Sequence, residues 1–141
     1  MLRGHSGPIT SIAFNHNDTI LVSCSIDGWV YEWAAESGKR NVDTYQAKDV
    51  CFTSAIMDHE NRIVVCGQDR SLRCIKSDDK GLDGVYPIVN KLDVNILQIA
   101  MSHSQKYLFC GDENGYVHCF TYPFLTPDEG CKVAVLKCWG P

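Results

Sequence analysis

One pattern is written three times along this chain, and it constrains the fold more than any single residue does. The segment ITSIAFNHNDTILVSCSIDGWVYEW (9–33) aligns with FTSAIMDHENRIVVCGQDRSLRCI (52–75) and with ILQIAMSHSQKYLFCGDENGYVHCF (96–120). Each copy has a histidine in its first turn, at His16, His59 and His103. The second turn carries Asp27-Gly28, Asp69-Arg70 or Asn114-Gly115, and six residues beyond that Asp or Asn comes Trp33, Ile75 or Phe120. Apolar runs broken by polar turns predict three strands per copy. Asp-Gly between two such runs is a strong hairpin signal, so 20–26 and 29–33 are expected to pair antiparallel across a two-residue turn. A fourth strand is expected within KRNVDTYQA (39–47), GVYPIVNKLDV (84–94) and CKVAVLKC (131–138), with Pro87 on an outer edge. KSDDKGLDG and YPFLTPDEG read as surface loops between copies.

A period of roughly 43 residues with four strands per unit is that of propeller blades. The expected fold is therefore all-β, a partial β-propeller of three four-stranded antiparallel blades. These would cover about 4–47, 48–93 and 94–139. The chain opens with GHSGPIT and closes with KCWGP, so Gly140-Pro141 match Gly7-Pro8 of a copy that does not follow. Propellers close with about four to eight blades, and three alone expose an apolar face at each end. The expectation is a piece of a longer propeller, with self-association into a ring as the alternative.

Composition excludes several function classes. The 141 residues include 17 acidic and 13 basic side chains for a net charge of −4, with no basic cluster to track a phosphate backbone. No nucleic-acid partner is expected. The N-terminus has no apolar stretch of the signal-peptide kind, and no apolar run is long enough to span a membrane. A soluble cytoplasmic protein is expected. Eight cysteines lack any C-x-x-C pair and several sit in strand runs such as RIVVCGQ, so they read as small buried thiols, not zinc ligands or disulfides.

Gly4-His5, the turn residue Asp27 and the closing Trp33 resemble the glycine-histidine, aspartate and tryptophan pattern of the WD-repeat family. The match is strong over 4–33 and degenerate elsewhere, and Ala34 stands where that family has an aspartate after the tryptophan. The wording LRGHSGPITSIAF…LVSCSIDGWVYEWAAESGKR is also similar to the cilia- and flagella-associated WD-repeat proteins. That resemblance implies a non-enzymatic protein–protein interaction scaffold. It further implies a role in dynein-arm assembly or cilium motility within an axoneme, axonemal dynein or microtubule-associated partners, and coiled coil elsewhere in the full-length protein. A substrate-recognition or adaptor subunit of a cytosolic protein-modifying complex is the alternative.

The resemblance also implies a structural hydrogen-bond network of His5, Ser23, Asp27 and Trp33, with Ser25 sharing the strand parity of Ser23. Ile75 and Phe120 would fill the tryptophan's place in blades that rely on packing and ladder bonds alone. His, Ser and Asp are also the parts of an acyl-transfer triad, but no nucleophile elbow or glycine-rich oxyanion loop accompanies them, so no catalytic residue is expected. His16, His59 and His103 occupy equivalent turns, which radial repetition is expected to hold well apart, so neither a metal nor any other cofactor is expected. Arg3, Lys48, Asp49 and Arg70 are candidate partner contacts on the rim loops.

Overall fold

The computed structural model describes residues 4–40, 45–78, 81–89, 94–122 and 132–137. Twelve strands run through these residues: β1 (Ile9–Phe14), β2 (Ile20–Ser25), β3 (Trp29–Ala34), β4 (Tyr45–Gln46), β5 (Phe52–Met57), β6 (Ile63–Gly67), β7 (Ser71–Asp78), β8 (Gly81–Val89), β9 (Ile96–Met101), β10 (Tyr107–Asp112), β11 (Tyr116–Thr121) and β12 (Lys132–Lys137). They form three antiparallel sheets, each in chain order: β1-β2-β3-β4, β5-β6-β7-β8 and β9-β10-β11-β12. Pro87 lies in β8, at the edge of its sheet, where a missing N–H is tolerated.

The sheets stack on each other through two separate cores. Val22, Cys24 and Val30 of the first blade meet Phe52, Ala55, Met57, Ile63, Val65 and Ile75 of the second. Val64, Cys66, Leu72 and Cys74 of the second meet Ile96, Ile99, Leu108, Cys110 and Phe120 of the third. Strand β6 therefore sends Ile63 and Val65 one way and Val64 and Cys66 the other. This is why its sequence, IVVCG, is an unbroken apolar run rather than an alternation.

A bulge recurs at the start of each innermost strand, between Ile9 and Ser11 in β1 and between Phe52 and Ser54 in β5. The matching shift in the third blade lies opposite Gly111/Asp112. The bulged residue is Thr10 or Thr53, and its hydroxyl donates across to the next blade. Thr10 Oγ1 reaches the Phe52 carbonyl at 2.7 Å, and Thr53 Oγ1 reaches the Ile96 carbonyl at 2.7 Å. Bulges re-aim side chains in this way.

The turns correct the sequence reading in two places. The β2–β3 connection is three residues, Ile26-Asp27-Gly28, not two. Gly28 N–H closes onto the Ser25 carbonyl at 3.3 Å, and Gly28 has φ +85°. A tight turn followed by a left-handed residue is the commonest three-residue hairpin loop. Gly115 repeats it at φ 89°, and Arg70 holds the same place at φ 62° without glycine's freedom. The second correction concerns KSDDKGLDG, which is not a loop between copies. Its ends belong to β7 and β8, paired as far as Asp78↔Gly81. These strands lie at the outer side of the sheet, where polar and glycine residues are tolerated. In the first blade the outer strand is short, Tyr45–Gln46, with a bridge from Trp33 to Arg40, and 41–44 lie outside the described residues. YPFLTPDEG lies outside them too, beyond Tyr122, between two strands of one sheet.

Glycine is expected to be required at 28 and favoured at 70. A Cβ on Gly28 would sit 2.1 Å from the Ala47 carbonyl oxygen, so Gly28→Ala should cost about 2–4 kcal/mol. Arg70→Gly should stabilise by about 0.5–1 kcal/mol by relieving the left-handed backbone. Urea unfolding of the two variants checks both signs.

Candidate functional site

Ser23 lies mid-strand in β2 with only 2% of its surface exposed, on the face opposite Val22 and Cys24. Its hydroxyl accepts the Trp33 indole N–H at 2.8 Å and lies 2.7 Å from His5 Nε2. Asp27 stands apart from that chain. Its nearest approach to the ring is 3.8 Å, from Oδ1 to His5 Nδ1, too long for a hydrogen bond. Instead Asp27 accepts the Ser6 N–H at 3.0 Å and its hydroxyl at 2.9 Å, the Trp29 N–H at 3.1 Å, and the hydroxyl of Ser25. The two serines of β2 thus divide the work, Ser23 toward His5 and Trp33, Ser25 toward Asp27. Tyr31 packs on the His5 ring at 4.5 Å and on Trp33 edge-on at 5.8 Å.

These contacts tie the entering chain to the β2–β3 turn and do not build a nucleophile. Ser23 is buried mid-strand and its oxygen already accepts an indole N–H. Burial lowers the His5 pKa below its ordinary value, and the Asp27 carboxylate only partly offsets this. Burial works to raise the Asp27 pKa, but the Trp29 and Ser6 groups outweigh it and hold the carboxyl below its usual range.

Blades two and three have polar pins of their own, which corrects the expectation that they rely on packing alone. In the second, Asp69 Oδ2 accepts Arg73 Nη2 at 2.7 Å, while the Ser71 hydroxyl bonds Asp69 Oδ1 at 2.5 Å. In the third, Asp112 Oδ1 accepts the Asn114 and Tyr116 N–H groups at 2.8 and 2.9 Å, and Oδ2 lies 2.8 Å from His118 Nε2. Arg73 and His118 occupy the place of Tyr31 in their blades. A third pin crosses between blades. Asp58, 1% exposed, accepts Arg62 Nε at 2.6 Å and the Tyr122 hydroxyl of the third blade at 2.5 Å. Burial opposes a low pKa for Asp58, but these donors outweigh it, and the carboxyl is held below its ordinary range. The spacing Asp-x-x-x-Arg, present at both 58–62 and 69–73, was the available signal.

Trp33, Ile75 and Phe120 share one orientation. Ile75 packs in the core shared with the first blade and Phe120 in that shared with the second, each facing the blade before it. Trp33 lies on the corresponding face of the first blade, beside a cavity of about 350 Å³ lined by His5, Ile9, Ile12, Leu21 and Ser23 among others. Of the candidate contacts, Lys48, Asp49 and Arg70 are exposed on the rim that carries the β2–β3 and β6–β7 turns, and Arg3 lies outside the described residues. Cys24, Cys66, Cys74, Cys110 and Cys119 are buried, and burial pushes the Cys66 thiol up to about 11, away from thiolate chemistry.

The histidine turns depart most from expectation. His16 and His59 are not well apart, since their rings lie 5.3 Å centroid to centroid. With His103 they line one groove of about 270 Å³ on the rim opposite Lys48 and Arg70. The β1–β2, β5–β6 and β9–β10 turns that carry them adjoin because β1, β5 and β9 run side by side as the innermost strands.

Residues 1–34 match the WD domain, G-beta repeat family model. Over 130 residues, 92% of this chain, the sequence is 32% identical to mouse (Mus musculus) Cilia- and flagella-associated protein 57. It is 28% identical over 138 residues to Cilia- and flagella-associated protein 57 C of Tetrahymena thermophila. The chain spans about a tenth of the length of either relative. The solved β-propeller domain of Myceliophteria thermophila Cps50 (Swd1) superposes with a TM-score of 0.78 at 17% identity, over 98% of this chain and 44% of that one.

Acid should test the His5 chain before it tests the carboxylates. His5 has a folded pKa below its ordinary 6.5, so the unfolded state binds the proton more readily and stability falls as pH drops below that value. The carboxylates of Asp27, Asp58 and Asp112 are also depressed, so their contribution persists above 3.8 and is lost as pH falls through their folded values. Melting temperatures between about pH 7.5 and 5 should decline for the wild type and stay flatter for His5→Asn. Tyr122→Phe should cost about 1.5–3 kcal/mol by removing one donor from Asp58, with Trp33→Ala costing about 3–5 kcal/mol. Denaturant titration measures both.

Proposed function

Because this chain is a run of WD-repeat β-propeller blades, we propose that it serves as a non-enzymatic protein-interaction scaffold within a larger propeller of a cilium- or flagellum-associated protein. The exposed face of the first blade carries the proposal. Ile9, Ile12 and Phe14 are 55%, 62% and 54% exposed, yet the residues in their places in the second blade, Phe52, Ala55 and Met57, are 0%, 1% and 8% exposed. In the third blade Ile96 and Ile99 are buried the same way, at 0% and 6%. Each is covered by the blade before it. Three large apolar side chains on one strand of the first blade are built for the same covering, and a further blade supplies it. The length of the relatives supports the same reading, since a segment one-tenth their size leaves ample chain for more blades.

The ciliary setting rests on the cilia- and flagella-associated relatives, which align along nearly the whole chain. A rigid array of blades with exposed rim loops suits it to docking other axonemal proteins, dynein-associated components among them. Lys48, Asp49 and Arg70 on one rim are the proposed contacts, and no reaction chemistry is required. Immunofluorescence with an antibody to this segment should stain ciliary axonemes, and the labelled polypeptide should migrate far above 15.8 kDa. Diffuse cytosolic staining without axonemes would count against the ciliary setting. A band near the size of this chain would count against the larger propeller.

A further inference from the structure

We propose that His16 and His59 together bind a divalent transition-metal ion, of the imidazole-preferring class that includes Zn²⁺ and Cu²⁺, across the junction of the first two blades. Zinc lies about 2.0–2.1 Å from each imidazole nitrogen and holds its ligands tetrahedrally, which sets two ring centroids roughly 5 Å apart. The rings of His16 and His59 lie 5.3 Å apart with their planes inclined at 51°. Two imidazoles at this separation are within the span that one ion bridges.

The two turns that carry the pair are tied to their surroundings. Asn15, beside His16, donates from Nδ2 to Asn61 Oδ1 at 3.1 Å, and so clasps the two turns together. The His59 N–H donates to Gln105 Oε1 of the third blade at 3.0 Å, fixing that turn from the other side. Each turn closes on itself as well, with Asp18 N–H on the Asn15 carbonyl at 3.2 Å and Asn61 N–H on the Asp58 carbonyl at 3.1 Å. Turns tied at both ends limit the ordering that ion binding must supply.

Accessibility and charge agree with this assignment. Both histidines are exposed, and Asp18 and Glu60 bring carboxylates to the same two turns. The guanidinium that follows the His59 turn, Arg62, is engaged by Asp58 at 2.6 Å and by Glu60 at 3.2 Å. Among the described residues no group of three or more His, Cys, Asp or Glu side chains is placed to hold a metal. The chain therefore supplies two ligands, and water or a side chain of a docked protein completes the coordination. This makes the groove a site whose affinity rises when a partner brings further ligands. His103, in the same groove, lies outside the pair.

Calorimetric titration of the purified full chain with Zn²⁺, and of separate samples with Cu²⁺ followed by electron paramagnetic resonance, tests the assignment. One ion per chain is expected, with a signal from two nitrogen ligands for Cu²⁺. His16→Ala and His59→Ala should each weaken Zn²⁺ binding by about tenfold or more, while His103→Ala leaves it within about twofold. Unchanged melting temperatures without metal would establish that the variants are folded, as exposed positions predict. Binding retained by His16→Ala or His59→Ala, or a loss of equal size in His103→Ala, would overturn the pair as the site. Absence of binding by the wild type would overturn it outright.

Discussion

A four-stranded sheet that is apolar on both faces is stable only when something covers each face, and everything else in this protein follows from that requirement. The middle blade meets it fully. Ile63 and Val65 are buried against the first blade, and Val64 and Cys66 against the third. At about 25 cal/mol per Å² of apolar surface removed from water, such two-sided burial outweighs what any single polar contact contributes. The hydroxyls of Thr10 and Thr53 then set how one sheet sits on the next, because each must reach a particular carbonyl of the following innermost strand.

Polar pins are the second layer, and they are improvised blade by blade. The same turn is held by Asp27 with Ser6 and Ser25 in the first blade, by Asp69 with Arg73 in the second, and by Asp112 with His118 in the third. A hairpin turn at a sheet's rim leaves backbone N–H groups that need acceptors, and a nearby carboxylate is an economical acceptor. A carboxylate serves each turn, although Asp112 stands two residues before the place of Asp27 and Asp69, where the third blade has Asn114. The carboxylate's partner varies with whichever side chain faces it from the neighbouring strand.

The repeat was legible because its apolar positions recur at a nearly constant interval, and the strand order followed with it. Four strands per unit, the edge position of Pro87 and the adjacency of 20–25 and 29–34 all needed only local pattern. The turn is one residue longer than its sequence implies, since Ile26 reads as a strand residue by hydrophobicity while its backbone already turns. KSDDKGLDG departs in the opposite direction, because polar composition marks exposure and not the absence of a strand. Of the first blade's four polar residues, His5, Ser23 and Trp33 are joined by hydrogen bonds and Asp27 is directed elsewhere. An arrangement differing by less than an ångström is beyond what a motif can specify.

Sequence alone determined the module, its number of copies in this chain and the positions that face a neighbour, since periodicity records which side of each strand must be buried. Only the tertiary structure decided which distant groups meet. Asp58 finds Tyr122, Asn15 finds Asn61, and His16 finds His59 because innermost strands of successive blades run side by side. Residues some forty to sixty positions apart become neighbours by stacking. No local propensity encodes that, because the contact exists only after each sheet has found the next.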